Sequence, residues 1–417
     1  MTIPTNQQNE RGEVTLYIRQ QCLYSFEYAL KMQAQTRLEQ IFLTLDLTPF
    51  VAKLPVSDHG GPDGYSSQNK LRAVIAAKLE QIPTAAALVR RLKSDPVFRY
   101  NCGFEVMGSV PSEATISRFL KVLTETGILK ELYCTLIRKA EELGIIDTSS
   151  VSIDSSKVEA YEKSKPRKYL SLDGSSADWG VKQNTDGNKI AWFGYKLHIA
   201  TDIKSELPIA LEVTPASVHD STVALAIIKQ VKENVKTTPR YYLMDSGYDS
   251  ADIYTAVRYD HKAQAIIPLN LRGAKEPKAG FDFDGTPMCS AGFRMVYWGH
   301  DKNANKFRCP HVMGKCDCPL GSAWCSESNY GMVIKTRVKD DPRLFCTPHR
   351  GTDNWRKLYN QRTGVERCFG RLKEHLSLDN LTLRGLAKVK THAYLCAISL
   401  LATVIAVNSV KKEQIAA

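Results

Sequence analysis

Tyr359-Asn360-Gln361-Arg362-Thr363-Gly364-Val365-Glu366-Arg367-Cys368-Phe369-Gly370-Arg371-Leu372-Lys373 spaces a phenol, a guanidinium, a carboxylate and an ammonium along fifteen residues. Read as one helix at about 100° per residue, with Tyr359 at zero, Arg362 falls near about 300°, Glu366 near about 340° and Lys373 near about 320°. The four side chains then share one narrow face. The adjacent face, at about 220–280°, carries Leu358, Val365, Phe369, Leu372 and Leu376, an apolar stripe that seats the helix on a core. A carboxylate beside two cations and a phenol suits a metal-bound phosphate. Pairs such as Arg362 and Glu366 also decorate ordinary solvated helices, so the rest of the chain must decide.

Upstream lie two aspartates in strand-like settings. Val151-Ser152-Ile153-Asp154 alternates apolar and polar residues and is predicted to end a half-buried strand at Asp154. The run from Arg240 to Met244 is stopped by Asp245-Ser246-Gly247, a strand delivering a carboxylate into a turn. With these in place, the spacing of Tyr359, Arg362, Glu366 and Lys373 resembles the Y-R-E-K signature of insertion-sequence DDE transposases. In that family the glutamate is the third metal-binding carboxylate, after two aspartates on strands.

The chain between these residues agrees. After a turn near Asp186-Gly187, Lys189 to Thr201 and Leu207 to Val213 read as strands. Ser221 to Val235 has helical periodicity with Asp220 as its N-cap, and a second helix runs from about Asp249 to Arg258. Ala263 to Pro268 reads as a fifth strand. The order is similar to the ribonuclease H-like fold over residues 150 to 408. The expected class is therefore an α/β ribonuclease H-like catalytic domain with a mixed five-stranded sheet, preceded by an all-α DNA-binding domain and carrying a Cys-rich insertion. The boundaries expected are 1–149 for the helical part, 150–269 and 356–417 for the two parts of the catalytic core, and 270–355 for the insertion.

The resemblance implies a chemistry. In-line phosphodiester cleavage uses two divalent ions about 3.5–4 Å apart. Mg²⁺, with Mn²⁺ able to substitute, prefers oxygen ligands. Asp154 would bridge the ions, with Asp245 and Glu366 completing their shells. Arg362 and Lys373 would hold phosphates of the transposon end, and Tyr359 would bond a phosphate or pack on a sugar. The partners implied are double-stranded DNA, as transposon ends and as target, and a second copy of the chain in a synaptic complex. A catalytically decayed or repurposed DNA-binding protein and a stand-alone metal-dependent nuclease are the alternatives.

The charge balance is +12 with a pI near 9.1, which suits a polyanionic partner. Basic clusters flank Asp154, with Lys157, Lys163, Lys165, Arg167 and Lys168, and Glu366, with Arg367, Arg371, Arg384, Lys388 and Lys390. The first 150 residues read as helices: about Leu23 to Leu45, Ser67 to Gln81, Thr84 to Ser94, Glu113 to Thr124 and Ile128 to Leu143. Ser112 is the predicted N-cap of the fourth. Gln68 to Leu123 resembles the helical domain that precedes the catalytic core in many such transposases. A helix-turn-helix there would set Thr115, Ser117 and Arg118 against DNA.

Six of the eleven cysteines lie in the insertion: Cys289, Cys309, Cys316, Cys318, Cys325 and Cys346. The polar N-terminus suggests a reducing, cytoplasmic setting in which disulfides are not expected, and the family resemblance implies a bacterial, nucleoid-associated one. Cys309, Cys316, Cys318 and Cys325, with His311 nearby, form a candidate structural Zn²⁺ site. Either Cys289 or Cys346 is an equal choice for the fourth thiolate. Lys302, Lys306, Arg308 and Lys315 suit a DNA or subunit contact. His219-Asp220 reads as a capping pair, with metal or DNA assistance as the alternative. Ala393 to Val410 carries no charge, yet its polar residues Ser399, Thr403, Asn408 and Ser409 favour a buried helix over a membrane span. Met1 to Gly12 reads as a disordered tail.

Overall fold

The computed structural model describes residues 25–55, 64–164, 166, 176–183, 187–301, 304–321 and 323–416, with the strands Thr5–Gln8 (β1) and Val14–Tyr17 (β2). Asp186, Lys165, Arg167, Lys168 and Lys302 lie outside the described residues. β1 and β2 pair antiparallel, so the expected tail contains a strand.

Among the described residues eight helices follow: Phe26–Lys31 (α1), Arg37–Thr44 (α2), Thr48–Val51 (α3), Ser67–Leu79 (α4), Ala85–Ser94 (α5), Pro96–Asn101 (α6), Glu113–Thr126 (α7) and Ile128–Glu142 (α8). The single helix expected from Leu23 to Leu45 is broken because Thr36 caps α2, its hydroxyl accepting the Glu39 N–H at 3.2 Å. Ser112 caps α7 as expected, through the Thr115 N–H at 3.2 Å. Gly127, at φ 67°, ends α7 in the left-handed conformation that glycine adopts without strain. Residues 102–112 separate α6 from α7, far more than the turn of about three to four residues of a helix-turn-helix.

The larger sheet is built from Ser150–Glu159 (β3), Asp178–Gln183 (β4), Lys189–Asp202 (β5), Pro208–Pro215 (β6), Tyr241–Leu243 (β7) and Gln264–Ile266 (β8). β3, β5 and β6 form an antiparallel meander, while β7 and β8 add parallel to β3. Asp220–Asn234 (α9) and Ala251–Thr255 (α10) are the crossovers. This is the ribonuclease H-like order. The sheet has six strands instead of the expected five, since β4 pairs with the first half of β5. Trp179 and Val181 of β4 are exposed, so no half-buried alternation marked it in the sequence. β3 also runs on to Glu159, which puts Asp154 mid-strand and not at a strand end.

After β8 comes a segment with its own sheet, Val296–Asp301 (β9), Ala304–Arg308 (β10) and Val333–Arg337 (β11). Its exit is fixed to the catalytic core by Arg343, whose guanidinium meets the enclosed Asp249 carboxylate at 2.7 Å. Asp353–Asn360 (α11), Gly364–Leu376 (α12) and Leu386–Ala416 (α13) complete the chain. The expected single helix through Tyr359 and Lys373 is therefore two helices, joined by a 3₁₀ turn at Gln361–Thr363. α13 contains Leu386–Val410, a span long and apolar enough to cross a membrane, but it is 67% buried inside the protein. It packs on α8, α2, α4 and α7 on one side and on β6 and α12 on the other, so helices and sheet share one core.

Candidate active site

The parallel register sets Ser152 opposite Leu243. Asp154 lies two residues further along β3, and Asp245 lies two residues past Leu243, just beyond the end of β7, close enough for its charge to act on Asp154. Asp154 shares the face of Ser152, because side chains along a strand alternate with period two. That face is covered by the α11–α12 corner. The Ser152 hydroxyl donates to the Arg362 carbonyl at 3.2 Å, and Leu243 packs with Ile266 against Trp355 of α11.

Arg362 is the keystone of the corner. Its Nη1 donates to Asp154 Oδ2 at 3.0 Å and its Nη2 to Glu366 Oε1 at 2.8 Å. Burial works against its charge, but Asp154, Tyr359, Glu366 and Asp245 outweigh that and raise its pKa. The Tyr359 ring lies 5.9 Å from the guanidinium and stacks on Trp355 at 5.1 Å, so Tyr359 supports Arg362 from the apolar side. The 3₁₀ turn makes this possible. Arg362 sits in this turn and still reaches both Tyr359 and Glu366 while meeting Asp154 of β3.

Asp154 is largely enclosed, and burial followed by the Asp245 charge pushes its carboxyl up to about 6, against the Ser155 N–H, Arg362 and Lys182. Asp245 accepts the Gly247 N–H at 2.9 Å as it caps a short 3₁₀ turn. Glu366 is more exposed, on the first turn of α12. Among the described residues no three carboxylate, imidazole or thiol groups stand close enough to share an ion; Arg362 occupies the ground between Asp154 and Glu366. The donor set fits a hard divalent cation. Adjacent carboxylates repel one another, and Arg362 already compensates the charge that a cation would.

Lys373 is not brought to this cluster. It lies seven residues beyond Glu366, about 10 Å along the helix, and pairs with Asp379 at 3.0 Å and the Lys157 carbonyl at 3.2 Å. Of the other sequence candidates, Ser117 and Arg118 are exposed on α7, whereas Thr115 is tied into the cap with Ser112. Cys309, Cys316, Cys318 and Cys325 line one cavity with Cys289. Cys346 is elsewhere, buried beside Arg350 and Tyr254.

Asp220 is a carboxylate the sequence reading undervalued. His219 and not Asp220 is the N-cap of α9. Asp220 instead accepts from the Ser155 hydroxyl at 3.0 Å and Lys196 at 2.9 Å, bracing the strand beside Asp154. The buried Tyr248 phenol is kept protonated by burial first and then by Asp220, Asp154 and Asp245, which all face it. The signal available was an aspartate just past the third strand of the meander.

A mixed sheet with Asp154 and Asp245 near one another, and Arg362 joining Asp154 to Glu366 of α12, fits a ribonuclease H-like fold. Residues 139–318 and 288–401 each match a family described as Transposase DDE domain, and residues 26–122 match one described as Transposase domain (DUF772). The chain belongs to the DDE transposases. Among solved structures it is similar to a piggyBac transposase synaptic complex with hairpin DNA, at 12% identity and a TM-score of 0.38, over 92% of this chain and 75% of that one.

Proposed function

We propose that this transposase cuts at the terminal inverted repeats of a bacterial insertion sequence and joins the freed 3′-hydroxyl to target DNA. The observation that carries the reading is the juxtaposition of Asp154 on β3 with Asp245, just past the end of the parallel strand β7, with Arg362 bridging Asp154 to Glu366. Two divalent ions, Mg²⁺ or Mn²⁺, would activate the attacking oxygen and stabilise the leaving one. Asp154, Asp245 and Glu366 would hold them. Arg362 holds the carboxylates in the folded chain and would turn its planar fork to a phosphate once they have other positive partners. Tyr359 keeps that fork oriented. Lys373, two turns further along α12, suits a phosphate further along the same strand.

Double-stranded DNA as partner is supported by the +12 balance and by the exposed Ser117 and Arg118 on α7. Pairing of two ends before cutting calls for a homodimer in a synaptic complex. The cytoplasm of a bacterium, at the nucleoid, is the setting that fits a DNA substrate. The test incubates the full chain, with Mg²⁺, with a supercoiled donor plasmid carrying the gene's native flanks, beside Glu366→Ala. Cuts at fixed ends by the wild type alone are expected. Equal cutting by the variant would remove Glu366 from the site.

A further inference from the structure

The insertion contains a stretch that burial of apolar surface does not hold together. From residue 310 to 331, only Pro310 and Gly331 are buried among the described residues, and no helix or strand intervenes. Connections longer than about 12–15 residues without secondary structure are uncommon in compact domains. This one keeps a defined path through three glycines in the left-handed region, Gly314, Gly321 and Gly331. Gly331 packs against Cys309, where a Cβ would approach the Cys309 Cβ to 2.7 Å.

What the path gathers is sulfur. Cys309, Cys316, Cys318 and Cys325 line one cavity of about 10 Å³, room for a single water-sized occupant, and Cys289 joins them from the hairpin ahead of β9. None of the five is in a disulfide. His311 Nδ1 lies 3.3 Å from the Cys318 N–H and 3.3 Å from the Cys316 carbonyl, fixing the backbone between those two thiols. Cys289 Sγ accepts the Phe293 N–H at 3.4 Å.

We propose that Cys309, Cys316, Cys318 and Cys325 bind one Zn²⁺, which folds the 309–325 loop onto the end of β10. Soft thiolates in a tetrahedral set select zinc, with Zn–S bonds of about 2.3 Å. Among the described residues no three of these groups stand close enough together to hold an ion, so the loop must draw inward on binding. The loop is half-exposed and coreless, so drawing it inward disrupts little packing. Metal binding and loop ordering are thus one event. Cys289 lines the same cavity and is the competing fourth thiolate, and Cys346 lies outside it.

The test measures zinc per chain by mass spectrometry on the full-length protein, for the wild type and for Cys318→Ser, Cys325→Ser, Cys289→Ser and Cys346→Ser. Chelator-stripped wild type is also titrated with Co²⁺. About one zinc per chain, lost in Cys318→Ser and Cys325→Ser but kept in Cys289→Ser and Cys346→Ser, is expected. So is intense tetrahedral thiolate absorption with Co²⁺, a readout that needs no variant to fold. Wild type without zinc and without that absorption would overturn the site. Retention by Cys325→Ser with loss by Cys289→Ser would overturn the ligand set.

Discussion

Asp154 carries the electrostatic tension of the site. Its carboxyl is pushed up to about 6 by burial and by Asp245, whereas an unfolded aspartate titrates near about 3.9. The folded chain therefore holds a proton that the unfolded chain releases between those values. The stability from this group is full below about pH 4 and is lost as pH rises through about 6. Asp154→Asn, which stays neutral, is expected to stabilise the metal-free protein at pH 8 by on the order of 2 kcal/mol and to change little at pH 4. Urea denaturation at the two pH values checks this, and an equal effect at both would refute the tension. Both aspartates were legible in the sequence as polar residues on short apolar strands. Asp220 was not, because its contact with Ser155 joins residues 65 positions apart.

At the scale of elements, periodicity located most helices and the strands of the meander. It failed where local geometry departs from a repeat. The corner at Gln361–Thr363 winds more tightly than an α-helix, so a single helical wheel overstated the kinship of Tyr359 and Lys373. The turn decides which of these side chains meet. The junction of the insertion with the core also rests on contacts across distant sequence. Asp249, with a fully enclosed side chain, accepts from Arg343 Nε at 2.9 Å and from the Asn270 N–H at 2.8 Å. Arg343→Ala leaves that carboxylate unpaired and is expected to cost about 3–5 kcal/mol. Adding Asp249→Asn should recover part of the loss, as the charge is gone. Urea midpoints of the two variants and the double variant measure both quantities. A loss below about 1 kcal/mol would place the pair among weak surface contacts.

For the whole molecule, the boundary near residue 149 divides kinds of secondary structure but not the core. α13 lies between the first helices and the sheet, with Leu395, Ile398, Leu401 and Ile405 all buried. The sequence marked this helix as buried. Its partners were hidden, because an evenly apolar helix names no preferred face. A shared core makes the helices and the sheet unfold together. All five tryptophans lie beyond residue 178, so their fluorescence follows the catalytic part, while far-ultraviolet circular dichroism also follows the N-terminal helices. The two signals are expected to give one coincident urea transition. Leu401→Ala, which removes a fully buried side chain, should shift both curves equally, by about 2–5 kcal/mol. Earlier loss of helical signal, with fluorescence unchanged, would mean that the N-terminal helices fold as a separate unit and that α13 belongs to the sheet alone.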